Sequence, residues 1–286
     1  MVLIIFNIFN ILLLINVLLY DIIILNNNKY KGVLLMALVI SVALQKGGVG
    51  KSTTSQALAS TLGFKHKKVL LIDMDSQGNV TYSSGIDNPQ RTIFDVLGEG
   101  CRADEALIKC KYYDLLAADA YLTNVEISED VEPTLLKNVI APIKDNYDFI
   151  IIDTPPALGN LSFNSLVASD YVIIPMEPRP FALQGLSALN STIESVKKNL
   201  NPDLKVLGIL LIKYNKRTVL NRDLKAMIED YAEQMNTIVF NTTIREGIAV
   251  SEAQTLRKPL IDYAKNSNPN IDYKGFTTEL LQMIGV

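Results

Sequence analysis

Residues 45–54 read Gln-Lys-Gly-Gly-Val-Gly-Lys-Ser-Thr-Thr, between an apolar run at 38–44 and a helix-compatible stretch at 52–62. A strand, a glycine-rich loop and a helix in this order form the context of a phosphate-binding loop. The glycines let backbone N–H groups close around phosphate oxygens, and the helix directs its positive end to the same place. This stretch therefore predicts a nucleotide-binding site.

The loop contains two lysines with different expected roles. Lys51 is predicted to reach the β- and γ-phosphates of ATP, and the hydroxyl of Ser52 to ligate Mg²⁺. The usual motif has glycine where this chain has Gln45, and here a second lysine, Lys46, lies in the loop. The sequence thus predicts ATP and Mg²⁺ as cofactors, bound by a deviant Walker A motif.

Two further segments end in aspartates at the expected places. Residues 68–73 form a β-rich run that leads into Asp73-Met74-Asp75, and residues 149–152 form another that ends at Asp153. An aspartate at the end of an apolar strand is where a P-loop fold holds Mg²⁺, the Walker B role. Three motifs in this order make a chance match improbable, so we expect an ATP hydrolase.

Apolar strand-like runs alternate with helix-like stretches along the chain. This alternation predicts a mostly parallel sheet with helices on both faces, a P-loop α/β fold. Ligands are then expected at the carboxyl ends of the strands, where all three motifs fall. No linker of Pro, Gly and Ser divides the chain, so 36–286 is predicted to be a single domain. The strand-like runs are 38–44, 68–73, 149–152, 171–176 and 206–213.

Residues 1–35 differ in composition from the rest, and residues 1–20 carry no side-chain charge. Twenty apolar residues at helical rise would span a bilayer, which makes an N-terminal membrane anchor one interpretation. We favour another: Lys31-Gly32-Val33 can be encoded by a ribosome-binding sequence placed just upstream of Met36. Residues 1–35 are then a non-native extension produced by a mis-assigned start.

The two cysteines and the single histidine predict no chemistry. Cys101 and Cys110 are nine residues apart with no second pair, which argues against a metal cluster and is typical of a reduced cytosolic protein. His66 lies in a Lys-His-Lys-Lys loop before a strand and is expected to be solvated.

From Met36 to about Ser267 the chain resembles ParA/Soj-type partition ATPases of the ParA/MinD superfamily. The segments that carry this resemblance are KGGVGKSTT, DMDSQGN, FIIIDTPPALGNLSFNSLVASD, VIIPMEPRPFALQGL, GILLIKYNKRT and VSEAQTLRKPL. The resemblance implies a cytoplasmic, nucleoid-associated ATPase that forms a homodimer around ATP and coats double-stranded DNA without sequence preference. It also implies that a ParB-like centromere-binding partner stimulates hydrolysis, which would drive the partitioning of a plasmid, chromosome or mobile element.

The resemblance also assigns roles to residues. Lys46 would cross the dimer to the partner's phosphates, in the manner of an arginine finger. Asp75 would orient the attacking water, Asp153 would hold Mg²⁺ together with Ser52, and Asn215 would contact adenine. The expected catalytic residues are therefore Lys46, Lys51 and Asp75. The expected ATP-binding residues are Gly47, Gly48, Val49, Gly50, Lys51, Ser52, Thr53 and Asn215.

Charge provides candidates for a DNA-binding surface. The chain has a net charge of −3, yet residues 197–265 hold twelve Lys and Arg against eight Asp and Glu. Such an excess is either a solvated helix face or a surface that faces phosphates. The candidates are Lys197, Lys198, Lys216, Arg217, Arg222, Lys225, Arg245, Arg257 and Lys258.

The sequence departs from the family pattern at two positions. Ala249 replaces the second arginine of a Pro-Arg-Asn-Val-Arg pattern, for which Arg245 is the nearest substitute. Ser76 replaces a proline, which is expected to change loop stiffness more than chemistry.

Two alternative functions remain open from sequence. One is a MinD-like ATPase that cycles on membranes, although the segment 275–286 has no basic residue and is predicted to be a packed terminal helix. A membrane role would require a genuine anchor at 1–35. The other is an adaptor whose nucleotide-dependent dimerisation recruits a partner while hydrolysis matters little.

Overall fold

The computed structural model describes residues 37–98, 100–180 and 182–286. Residues Ala37–Val286 make one compact unit around a seven-stranded sheet. The interpretations of residues 1–35, as an extension or as an anchor, lie outside the described residues. The strands are β1 (Leu38–Val42), β2 (Val69–Asp73), β3 (Leu107–Lys109), β4 (Asp114–Leu116), β5 (Phe149–Asp153), β6 (Tyr171–Met176) and β7 (Lys205–Leu211).

The strand order in the sheet is β3-β4-β2-β5-β1-β6-β7. Every neighbouring pair is parallel except β3 and β4, which are antiparallel. The mostly parallel P-loop sheet predicted from sequence is therefore confirmed. Beyond the five predicted strand-like runs, the region 80–130 adds β4 and an antiparallel edge strand, β3.

Helices connect the strands and cover the sheet. They are α1 (Lys51–Phe64), α2 (Asn79–Ser83), α3 (Ile93–Leu97), α4 (Leu122–Ile127), α5 (Leu135–Ile140), α6 (Asn160–Ala168), α7 (Ala182–Asn199), α8 (Val219–Gln234), α9 (Ile248–Thr255), α10 (Leu260–Tyr263) and α11 (Asn268–Ile284). Two short 3₁₀ turns lie at Ala103–Ala106 and Ala141–Asn146.

Successive residues of the central strands enter different cores. Ile40 and Ile151 pack on the face covered by α1 and α11. Val39 and Ile150 point to the opposite face, against the helices that follow β2 and β4. Because both faces are covered, the strands are apolar throughout, as expected of a buried parallel sheet.

The terminal helix α11 is packed against the body of the protein, as the sequence predicted. Tyr273, Phe276 and Leu280 are all buried. The rings of Phe240 and Phe276 meet edge to face with centroids 4.9 Å apart. Among the helices of residues 37–286 that the structure describes, none has the length and apolar run needed to cross a bilayer.

The parallel register brings the sequence motifs together. Within the sheet, Asp153 at the end of β5 is the register partner of Val42 on β1 and of Asp73 on β2. The glycine-rich loop follows β1, so it leaves the sheet at the same edge as both aspartates. This arrangement places the predicted phosphate loop and its acidic partners at one site.

Candidate nucleotide site

The glycine-rich loop has the backbone geometry that its glycines allow. Gly48 and Gly50 adopt left-handed conformations with φ of 72° and 73°. At Gly50 space is also restricted, because a Cβ atom would lie 2.6 Å from Cδ1 of Ile212. Gly50 is followed directly by α1, whose first turn therefore points its backbone N–H groups into the loop.

The two lysines of the loop have different surroundings. Lys51 is 6% exposed, and its Nζ donates a 2.8 Å hydrogen bond to the carbonyl oxygen of Lys46. Burial lowers the pKa of Lys51, whereas the charges of Asp153 and Asp75 act in the opposite direction. The Lys46 side chain belongs to an exposed residue at the rim of the loop. Lys51 thus lies inside the site and Lys46 on its surface.

Asp153 is a buried carboxylate with one unsatisfied oxygen. Its Oδ1 accepts a 2.9 Å hydrogen bond from the hydroxyl of Ser55, while its Oδ2 has no hydrogen-bond partner within the described ranges. Burial, followed by the charge of Asp73, raises the pKa of Asp153 to about 8. An unpartnered buried carboxylate oxygen is costly unless a cation compensates it. Asp153 therefore fits the predicted role of a Mg²⁺-binding residue.

Asp73 is a second buried carboxylate, which the sequence reading did not assign to the site. Its Oδ2 accepts 2.8 Å hydrogen bonds from both the backbone N–H and the hydroxyl of Thr81. Burial raises the pKa of Asp73 to about 6, and the Thr81 hydrogen bonds oppose that rise. The sequence contains a feature that could have identified Asp73 as part of the site, because Asp73 ends an apolar strand two residues before Asp75. Asp73 ties α2 to the sheet beside the cation site.

Asp75 lies at the edge of the same site. It is 6% exposed, and its Oδ1 accepts a 3.0 Å hydrogen bond from the backbone N–H of Gln77. Asp75 lines the cavity above the glycine loop, next to Gly47 and Lys51. This position suits the role that the sequence predicted for it, the orientation of an attacking water.

A cavity of about 550 Å³ lies over the loop. Its walls come from the loop and the start of α1, from the segment after β2, from Lys213 after β7, and from α9. Ser251 and Gln254 of α9 face this space, and Gln254 Nε2 donates a 2.9 Å hydrogen bond to Thr53 Oγ1. Sequence motifs alone did not identify Lys213, Ser251 or Gln254, because they are distant in the chain from the glycine loop.

A second cavity of about 430 Å³ adjoins the first and shares Gly50, Thr53 and Lys213 with it. Among the described residues, the walls of both cavities include Lys213 but not Asn215. Asn215 is exposed, and its Oδ1 accepts a 3.0 Å hydrogen bond from the backbone N–H of Arg217. Its predicted contact with adenine stays a prediction.

Several of the candidate DNA-binding residues are engaged in ion pairs. Arg245 makes two hydrogen bonds to the carboxylate of Asp272 through its guanidinium, at 2.9 and 2.7 Å. Arg257 pairs with Asp87 at 2.6 Å, and its guanidinium lies 4.1 Å from the ring centroid of Tyr82. The guanidinium of Arg245, the basic residue nearest to Ala249 in this segment, is thus already paired with a carboxylate.

The remaining candidates divide into two groups. Lys197 pairs with Glu194 and Lys225 with Glu229, each on its own helix. Arg222 donates to the carbonyl oxygen of Lys216 at 3.3 Å. In the part of the chain that the structure describes, five candidates make no ion pair: Lys198, Lys216, Arg217, Arg222 and Lys258.

Comparisons with known proteins agree with this geometry. A family model described as an AAA domain matches residues 37–206. The sporulation initiation inhibitor protein Soj of Bacillus subtilis is 38% identical over 242 residues, which cover 81% of this chain and 93% of that protein.

Two solved structures are similar along most of their length. Cobyrinic acid a,c-diamide synthase from Mycobacterium smegmatis, with bound ADP and magnesium, has a TM-score of 0.75 at 31% identity, with 87% of this chain and 96% of that chain covered. A putative plasmid partition protein from Borrelia burgdorferi, bound to AMPPNP, has a TM-score of 0.72 at 28% identity, with 87% and 98% covered.

The fold and the loop define a P-loop nucleotide-binding protein of the deviant Walker A class. Within that class, the extent and level of similarity to Soj show that the chain belongs to the ParA/Soj-type family of partition ATPases.

Proposed function

We propose that residues 36–286 form an ATPase domain that dimerises on Mg²⁺-ATP, binds DNA without sequence preference and drives the partitioning of a plasmid, chromosome or mobile element. The observation that supports this most directly is the convergence of Lys51, Asp153 and Asp75 around the glycine loop. Membership of the ParA/Soj-type family supports the same function.

The site is suited to Mg²⁺-ATP. The backbone N–H groups of residues 47–53 and the Lys51 ammonium would hold the phosphates, and Ser52 and Asp153 would hold Mg²⁺. Bound Mg²⁺ would supply positive charge that neutralises the phosphates while the γ-phosphoryl group is transferred to water. Asp75 would orient the attacking water, since it lies at the open side of the loop.

Dimerisation would complete the site. Lys46 is exposed at the rim of the loop, and its carbonyl oxygen accepts the hydrogen bond from Lys51 Nζ. In a dimer that faces two loops together, Lys46 would reach the partner's γ-phosphate and stabilise the charge of the transition state. ATP would then favour the dimer, because the γ-phosphate is a ligand of both subunits.

DNA binding would follow from the dimer. Two copies of a basic surface on one particle multiply the number of phosphate contacts and hence the affinity at low salt. The candidates that are exposed and make no ion pair within the described ranges are the best supported, namely Lys198, Lys216, Arg217, Arg222 and Lys258. Hydrolysis, stimulated by a ParB-like partner, would release the nucleoid DNA.

Matched lysine variants test this proposal. Molar mass is measured with ATP, ADP and no nucleotide, and ATP binding and turnover are measured in parallel. We expect wild-type protein to dimerise with ATP only. Lys51→Ala should lose ATP binding. Lys46→Ala should keep ATP binding and lose the ATP turnover that DNA and the partner stimulate. Lys137→Ala, an exposed residue of α5, is the control.

Two results would contradict the proposal. One is a monomer at saturating ATP, and the other is a Lys46→Ala protein with unchanged stimulated turnover. Turnover that does not respond to DNA and the partner, with dimerisation intact, would favour the adaptor alternative.

A further inference from the structure

A group of lysines lies at the end of the sheet opposite the nucleotide site. Helix α1 starts at the glycine loop and ends at Phe64, so its 14 residues separate the two places by about 20 Å. We use the name lysine face for the exposed and half-buried lysines that surround this end of α1 and the aromatic rings between them. The lysine face comprises Phe64, Lys65, Lys67, Lys68, Lys109, Lys111, Tyr112 and Lys274.

Close packing holds this surface together. The end of α1 touches the β3–β4 turn so closely that a Cβ atom on Gly63 would lie 1.8 Å from the carbonyl oxygen of Tyr112. The rings of Phe64 and Tyr112 meet edge to face at 6.3 Å. Lys274 of α11 lies 5.4 Å from the Phe64 ring centroid, and Lys111 lies 4.9 Å from that of Tyr112. Three separate parts of the chain thus present one surface.

The lysine face is positive on a protein whose total charge is −3. Lys109 pairs with Asp114 and Lys111 with Asp262, and Asp148 accepts a hydrogen bond from the backbone of Lys68. Six lysines therefore stand against three aspartates. Of the residues that the structure describes, none forms an ion pair with Lys65, Lys67, Lys68 or Lys274.

A depression of about 540 Å³ lies within this surface, lined by Lys67, Lys68 and Lys109 together with three tyrosines. The tyrosine hydroxyls already have partners inside the protein. Tyr113 bonds to Ser84, Tyr147 donates to Asp114 and Tyr112 donates to Asp262. Asn146 and Asp114 also line the depression, and the Asp114 carboxylate is paired with Lys109 and Tyr147. The ammonium groups of Lys67 and Lys68 make no ion pair in the described ranges and are those left to meet a ligand.

We propose that the lysine face is a second DNA-binding surface, which contacts the phosphate backbone of a duplex independently of sequence. The proposal rests on the proposed function for the presence of DNA but assigns binding to residues outside the 197–258 candidates. Four of the six lysines in the lysine face form no ion pair within the described ranges, and each ammonium would act as a point charge toward a phosphate. Positive charge spread over three chain segments is complementary to the repeated phosphates of a duplex.

The test is a salt series of duplex DNA binding by the full chain with ATP. The triple variant Lys65→Ala/Lys67→Ala/Lys68→Ala is compared with Arg91→Ala/Lys137→Ala/Lys205→Ala, which removes the same charge from other exposed positions. Each phosphate contact contributes about 0.9 to the slope of log affinity against log salt. We expect the first variant to lower that slope by about 2 to 3 and the control to leave it unchanged.

The outcomes are distinguishable. ATP binding should be equal in all three proteins, because the lysine face is remote from the cavity, and this also verifies folding. If wild-type protein binds DNA and the triple variant keeps its slope, or if the control loses as much, the lysine face is not a DNA surface and the proposed function stands. If wild-type protein binds no DNA with any nucleotide, the proposed function and this inference both fail.

Discussion

Gln254 on α9 donates a 2.9 Å hydrogen bond to the hydroxyl of Thr53 on α1, although 201 residues separate them in sequence. This contact joins the phosphate loop to the helix that closes the other side of the cavity. Arg245 precedes α9, and Arg257 and Lys258 follow it. The same helix therefore lines the nucleotide cavity and connects basic residues at both of its ends.

Loss of the Gln254 contact should weaken ATP binding. The hydrogen bond contributes about 0.5–1.5 kcal/mol to holding Thr53 in the conformation that lines the cavity, so Gln254→Leu is expected to raise the Kd for ATP by up to about 10-fold. Fluorescence titration with a labelled ATP measures this. Glu252→Gln is the control, because Glu252 lies on the same helix but bonds to Tyr263. Equal ATP affinity in wild type and Gln254→Leu would contradict the role of this contact.

The glycine loop should tolerate a side chain at one glycine and reject it at another. Gly50→Ala places a Cβ in a left-handed conformation and against Ile212, which is expected to lower the free energy of unfolding by about 2 kcal/mol or more. At Gly47 a Cβ would meet nothing within 4 Å. Chemical denaturation of Gly50→Ala and Gly47→Ala checks this, and similar stability losses would refute the geometry.

The buried aspartates should make stability depend on pH when no divalent cation is present. The pKa values of Asp153 and Asp73, about 8 and about 6, are raised above the ordinary aspartate value. The folded protein then binds more protons than the unfolded chain, so the free energy of unfolding falls as pH rises from about 4 to about 8.

Mg²⁺ should reverse this loss because it compensates the ionised carboxylates. We expect Mg²⁺ to raise Tm more at the upper end of that pH window than at the lower end, as thermal unfolding in chelator and in Mg²⁺ will show. Asp153→Asn should flatten the pH profile measured in chelator. A wild-type profile that matches the variant's would show that Asp153 is not the titrating group.

The terminal helix should behave as part of the core. Phe276 is fully buried against Phe240, so Phe276→Ala is expected to cost about 3–5 kcal/mol of unfolding free energy. Met283, on the same helix, is 41% exposed, and Met283→Ala should cost far less. If both variants unfolded at the same denaturant concentration, α11 would not be anchored through Phe276, and its apolar stripe would be open to another partner.

Basic residues that form ion pairs within the protein should contribute less to DNA binding than basic residues that form none. The Arg245 guanidinium is bound to Asp272, whereas Arg217 forms no ion pair among the described residues. Arg217→Ala is expected to reduce the salt slope of DNA binding by about 0.9, and Arg245→Ala to reduce it by much less. A larger effect at Arg245 would mean that DNA displaces Asp272.

The sequence predicted the strands that have long apolar runs. These runs coincide with β1, β2, β5, β6 and β7. The glycine loop and Asp153 were predictable as well, because they lie at the ends of these strands. Edge strand β3 was missed because it has three residues, of which one is a lysine. A strand so short has no clear period, and its pairing with β4 is set by tertiary contacts.

The residues of the candidate site also fall into those that the sequence predicted and those that it did not. Residues within the loop motif were predictable because the motif encodes the backbone conformation locally. Lys213 and Gln254 were not, since their proximity to the loop depends on how β7 and α9 pack against α1. Ion pairs such as Arg245–Asp272 likewise cannot be read from charge counts. Only the structure distinguishes basic residues that are engaged from those that are available to a ligand.

The most direct test of the central claim is duplex DNA binding by the protein with ATP, with ADP and without nucleotide, across a range of salt concentrations. We expect binding that requires ATP, does not depend on DNA sequence and weakens steeply with salt. Equal binding with ATP and ADP, or no binding while ATP still produces dimers, would rule out an ATP-controlled DNA-binding protein.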